Sequence, residues 1–137
     1  MHRSYGKRTA FQGRVVTLRT FEDNTSLREL VNEPGLGRVL VVDAGQSVRR
    51  AVLGGNLAAA AANQGWAGVL IDGAVRDVLE LAACDVGIFA LACIPMATDK
   101  RHAGVRDIEV HVQGIAVRPN DWLYADADGI VIVGSVP

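Results

Sequence analysis

The chain has 137 residues, half of them hydrophobic, and a formal net charge of −1 from 14 basic and 15 acidic side chains. That length holds one domain and no second core, and the apolar content excludes a disordered chain. The balanced charge lacks the basic footprint of a nucleic-acid binder, and no apolar run reaches the ~20 residues of a membrane span. Met1 to Ala10 is polar and has no signal-peptide core. Its His2, Arg3, Lys7 and Arg8 read as a solvated start of the chain.

Gly13 to Thr20 carries Val15, Val16 and Leu18 and predicts a strand. Phe21-Glu22-Asp23-Asn24 breaks that pattern. Asn24 or Thr25 can cap a helix running to about Asn32, which Pro34-Gly35 ends. Val39-Leu40-Val41-Val42 is a continuous apolar run, the mark of a strand covered on both faces. Val48 to Leu53 reads as a short strand, Gly54-Gly55 as a turn, and Asn56 to Gln64 as an Ala-rich helix stopped by Gly65. Ala67 to Asp72 is a buried strand, Gly73 to Arg76 a turn, Asp77 to Ala83 a helix, and Val86 to Ala92 a strand again. This alternation predicts a largely parallel α/β sheet.

Cys84 and Cys93 fit neither a zinc pattern nor a disulfide framework, and both read as reduced core residues of a cytoplasmic protein. The last third changes character. Asp107 to Val112 alternates in period two, with His111 facing solvent. Ile115 to Val117, Trp122 to Ala125 and Ile130 to Val133 follow between turns at Gln113-Gly114, Pro119-Asn120-Asp121 and Asp126 to Gly129. These segments should add antiparallel strands. No internal repeat or linker divides residues 1–137, which read as one domain.

Two turns carry the chemistry. Gly54-Gly55 opens a helix whose unpaired N–H groups could receive an anion, although glycine also serves an ordinary strand-to-helix turn. No G-x-G-x-x-G follows a strand and no Gly-Lys-Ser/Thr follows the glycines, so neither nucleotide loop is present. Arg76-Asp77 follows a buried strand, where α/β folds bind ligands. Arg76 can grip a carboxylate bidentately and Asp77 can ligate Mg²⁺ or Mn²⁺, although Asp77 could equally serve the helix dipole. Asp43 and Asp72, at strand ends, could join the same crevice or work as turn residues. Glu80, a helical turn past Asp77, could help hold a hydrated metal or lie solvated. Asp126 to Gly129 has no terminal Glu for a calcium loop and reads as a hairpin turn.

Taken in order, Phe21-Glu22-Asp23-Asn24, GRVLVVDAG (Gly37 to Gly45), RRAVLGGNLA (Arg49 to Ala58), GWAGVLIDGAVRD (Gly65 to Asp77) and LYADADGIVIV (Leu123 to Val133) resemble the RraA-like family. That family contains regulators of ribonuclease E activity and class II 4-hydroxy-4-methyl-2-oxoglutarate aldolases. The resemblance implies a swivelling three-layer β/β/α domain, a homotrimer with sites near subunit interfaces, and a divalent metal, Mg²⁺ or Mn²⁺. It assigns the metal to Asp77, substrate binding to Arg76, and backbone contacts with substrate to Gly54, Gly55, Asn56 and Leu57. The implied chemistry is retro-aldol cleavage of 4-hydroxy-4-methyl-2-oxoglutarate and decarboxylation of oxaloacetate through a pyruvate enolate. The alternative it implies is a regulator that binds a ribonuclease E-type protein without direct contact to nucleic acid. The chain departs from the family where Pro119-Asn120-Asp121 replaces Pro-Gly-Asp. By this reading the leading helix is absent or very short, and no acidic extension follows Pro137.

Overall fold

The computed structural model describes residues 2–98 and 102–134, so the expectation attached to Pro137 lies outside the described residues. In chain order the elements are β1 (Arg3–Ser4), β2 (Phe11–Arg19), α1 (Thr25–Val31), β3 (Val39–Asp43), β4 (Ala51–Leu53), α2 (Gly55–Asn63) and β5 (Gly68–Val75). Then come α3 (Val78–Ala83), β6 (Gly87–Cys93), β7 (Val105–Arg106), β8 (Val110–Val112), β9 (Ile115–Val117), β10 (Trp122–Asp126) and β11 (Gly129–Val133).

The main sheet runs β1-β6-β5-β3-β2-β10-β11, with β4 added to β5 and β7 to β2. Strands β2, β3, β5 and β6 are parallel, as the strand-helix alternation predicts. The long β2 spans two neighbourhoods. Phe11 to Arg14 pair antiparallel with β10, and Val15 to Arg19 pair parallel with β3. A side chain at Gly13, near the changeover, would meet Arg38 Cα at 3.3 Å, so the chains approach closely there.

The sheet buries both faces. In β3, Leu40 and Val42 join the helices in one core with Leu27, Leu30, Leu57 and Trp66. Val39 and Val41 point the other way, into a second core with Leu70, Phe89, Val110, Val117 and Leu123. Helices therefore cover one face, while the β8–β9 hairpin and part of β10 cover the other. This is the expected α/β architecture with β, β and α layers, a mixed sheet and antiparallel C-terminal strands.

The polar start is exposed at Arg3, Lys7 and Arg8 as expected, although β1 pairs with β6, Arg8 bonds Asp85 at 2.9 Å and the His2 side chain is buried against Asp72. Three expectations need correction. The turn placed at Gly73 to Arg76 begins later, because Ala74 and Val75 pair with both β4 and β6. Asp107 lies outside β8, at positive φ, where a strand cannot continue. Neither thiol is a full core residue: Cys93 is exposed at the end of β6, and Cys84 is half-buried. Burial and the neighbouring Glu80 charge push the Cys84 pKa up, which keeps it a thiol.

Candidate active site

Strand β4 lies parallel to β5, with Ala51 opposite Ala74 and Leu53 opposite Val75. The Arg76 N–H donates to the Leu53 carbonyl at 2.9 Å, so the two chains stay together to their ends. Each strand then feeds a helix, β4 through Gly54 into α2 and β5 through Arg76-Asp77 into α3. Parallel pairing thus brings together the two turns that lie more than twenty residues apart in sequence.

Asp77 sits in the left-handed region at φ 66°, ψ 51°, as the residue before α3. An L-residue adopts this conformation at some cost, least for Asp and Asn. The orientation is used: Oδ2 accepts the Gly55 N–H at 2.9 Å. Gly54, the N-cap of α2, has no side chain to cap with, so a carboxylate from another turn does that work. Helix geometry leaves Asn56 and Leu57 as further N–H donors without a carbonyl four residues back. Asn56 is exposed, whereas the Leu57 side chain is in the helical core, so Leu57 can offer a ligand only its backbone.

The two glycines form a cradle. A Cβ on Gly54 would stand 2.8 Å from Asp77 Oδ2 and 3.0 Å from Arg76 Nε. A Cβ on Gly55 would collide with the Glu80 carboxylate and stand 2.9 Å from Glu80 Cβ. Among the described residues, no side-chain hydrogen bond or ion pair engages the Arg76 guanidinium, the Glu80 carboxylate or the second Asp77 oxygen. One cation and two carboxylates are therefore held at two glycines with donor and acceptor capacity to spare. The oxygen donors suit a hard divalent cation, which commonly takes one or two protein carboxylates and completes its shell with water. No group of three His, Cys, Asp or Glu side chains gathers as a metal cluster among the described residues.

Asp43 and Asp72 bond elsewhere than at this cradle. Asp43 accepts the Gly45 N–H at 3.0 Å and the His111 N–H at 3.2 Å. Asp72 accepts the Gln113 N–H at 3.3 Å and Gln113 Nε2 at 3.0 Å, with His2 Nε2 3.2 Å away but out of line for a hydrogen bond. Both carboxylates fasten the β8–β9 hairpin to the sheet. Burial pushes the Asp72 pKa up, yet the interactions with His2 and Gln113 outweigh it and hold the group below the usual carboxylate range.

Cavities of about 530, 510 and 460 Å³ are lined elsewhere, by the β10–β11 hairpin and by the ends of β2, β3 and β7. The candidate site is a convergence of turns rather than any of these hollows. In the sequence, Glu80 fits a site role or a solvated one. Its i, i+3 spacing from Asp77 signalled a shared helix face, but its contact with Gly55 crosses between elements. Glu22 has no local signal in the sequence, yet it is buried at positive φ, and its Oε2 accepts bonds from Ser47 Oγ at 2.7 Å and Arg49 Nε at 2.8 Å.

This β/β/α arrangement and its paired turns define a known class. The RraA-like model (Aldolase/RraA) matches residues 1–132, and the chain belongs to that family. A protein of Albidiferax ferrireducens with the provisional name 4-hydroxy-4-methyl-2-oxoglutarate aldolase is 54% identical, over 95% of this chain and 80% of its own length. The solved RNA-processing inhibitor RraA from Thermus thermophilis is 46% identical with a TM-score of 0.95, over 99% of this chain and 83% of that one. A Geobacillus kaustophilus structure described as an S-adenosylmethionine: 2-dimethylmenaquinone methyltransferase is 38% identical with a TM-score of 0.93, over 99% of this chain and 84% of its own. No helix among the described residues is long and apolar enough to cross a membrane.

Proposed function

We propose that this chain is a divalent-metal-dependent lyase that cleaves 4-hydroxy-4-methyl-2-oxoglutarate into two molecules of pyruvate and also decarboxylates oxaloacetate. The observation that carries this reading is the meeting of Arg76, Asp77 and the N-terminus of α2 at the adjoining ends of β4 and β5. Relatives about half identical to this chain carry the matching aldolase name.

The cleavage removes the proton of the C4 hydroxyl and breaks the C3–C4 bond. C4 becomes the ketone of one pyruvate, and the bonding pair enters the enolate of the other, which is then protonated. Loss of carbon dioxide from oxaloacetate gives the same enolate. Asp77 would hold Mg²⁺ or Mn²⁺, and that ion supplies Lewis-acid stabilisation of developing negative charge. Arg76 binds a substrate carboxylate through two parallel N–H bonds and fixes its plane. Its positive charge also stands where the anion grows. The Asn56 and Leu57 N–H groups orient the anionic end from the positive end of α2.

The test is pyruvate release from 4-hydroxy-4-methyl-2-oxoglutarate with Mg²⁺ or Mn²⁺. Two pyruvates per substrate consumed are expected, with Arg76→Lys raising KM because an ammonium lacks the planar fork. Absence of release by folded protein would sink the lyase reading. A second reading, a protein-binding regulator of RNA processing, is favoured by the 46% identity to the Thermus inhibitor. Binding to a ribonuclease E-type protein that survives Asp77→Asn would support it.

A further inference from the structure

Gly55 is not explained by its backbone. It is not among the glycines at positive φ, and it occupies the first turn of α2, where alanine is ordinarily the better helix former. What glycine provides there is room. The Glu80 side chain, from the first turn of α3, lies over the Gly55 Cα, and even its Cβ would be 2.9 Å from a Cβ on residue 55. An alanine could not be accommodated by moving the carboxylate tip alone, because the contact with Glu80 Cβ also requires the start of α3 to give way.

Glu80 is itself exposed, but its carboxylate comes to the same residue that Asp77 engages. The Asp77 carboxylate bonds the Gly55 N–H, and the Glu80 carboxylate sits against the Cα of the same residue. Two carboxylates brought to one residue can share a divalent cation between them. Arg76 is close to Asp77 at Gly54, but no ion pair engages its guanidinium with either carboxylate.

We propose that Glu80 is a second carboxylate facing the divalent cation held by Asp77, and that Gly55 is the residue that admits it. The inference rests on the metal-site reading above. Glu80 is a positioning residue: it adds negative charge toward the cation, and it touches no reacting atom of the substrate. The Gly55 N–H serves Asp77, whereas the missing side chain at Gly55 acts through Glu80, which makes the two positions energetically coupled.

The test is Mn²⁺ affinity of the purified protein, read from the electron paramagnetic resonance signal of the free ion, with melting curves as the folding control. Glu80→Gln should weaken binding by roughly tenfold or more, the range seen when groups that support a metal ligand are lost. Gly55→Ala should weaken it comparably by expelling Glu80. The double variant should bind no worse than Glu80→Gln alone. Undiminished Mn²⁺ affinity in Glu80→Gln, with binding lost in Asp77→Asn, would overturn the role of Glu80 and leave the metal site standing. Full affinity in Asp77→Asn would instead remove the metal-site reading itself. A further loss from Gly55→Ala in the Glu80→Gln background would show that the glycine acts through the backbone, against the proposed coupling.

Discussion

The Asp77 carboxylate accepts the Gly55 N–H while its own backbone occupies the left-handed region. Two substitutions separate these roles from metal binding. Asparagine tolerates the same backbone and its amide oxygen can still accept the Gly55 N–H, so Asp77→Asn should melt close to the parent. It should nevertheless lose roughly 10²-fold or more of metal-dependent turnover. Asp77→Ala should lose that turnover and, in addition, about 1–2 kcal/mol of stability through the missing cap and the strained backbone. Equal melting of the two variants would contradict the capping role. Asp72 makes a different prediction. Its pKa is depressed on folding, so it stabilises the fold above its unfolded value near ~4, and that stabilisation is lost as pH falls through the lower folded value. Asp72→Asn should therefore cost about 1–3 kcal/mol at neutral pH, with a smaller difference in strong acid. Urea unfolding at several pH values measures this, and a gap independent of pH would refute it.

At the scale of elements, local pattern was readable where one physical requirement dominated. Val39-Leu40-Val41-Val42 was legible as a strand buried on both faces, and its side chains do divide between the two cores. The hairpin at Asp126 to Gly129 followed from turn chemistry, and the helix does start at Thr25, but Asn24 makes no side-chain cap and Asp23 Oδ1 accepts the Thr25 N–H instead. The two site turns were legible as neighbours because parallel strands present their carboxyl ends together. Contacts between distant segments were not legible. Nothing local in Arg3-Ser4 announces pairing with β6, and nothing in Asp43 or Asp72 announces the β8–β9 hairpin. Glycines show the same limit. Gly68 and Gly87 are cross-strand partners, and the Phe11 ring lies across both. A Cβ on Gly87 would stand 2.8 Å from Phe11 Cγ, so Gly87→Ala should destabilise the protein by about 1–3 kcal/mol. Thermal unfolding checks this; an unchanged melting temperature would show that Phe11 can move aside.

For the molecule as a whole, the helices on one face and the hairpins on the other leave the β4–β5 end of the sheet to carry the site. The far edge, β11, is Gly129-Ile130-Val131-Ile132-Val133, with Val131 and Val133 exposed beside Tyr124 of β10. An apolar edge strand of this kind favours association. The central claim is that Asp77 serves a metal-dependent lyase. The most direct measurement is pyruvate release from oxaloacetate by the purified protein with Mn²⁺ or Mg²⁺, repeated with EDTA and with Asp77→Asn. The account predicts turnover above the rate given by the metal alone, abolished by EDTA and by the substitution while the variant remains folded. Full turnover by Asp77→Asn, or turnover indifferent to EDTA, would contradict it.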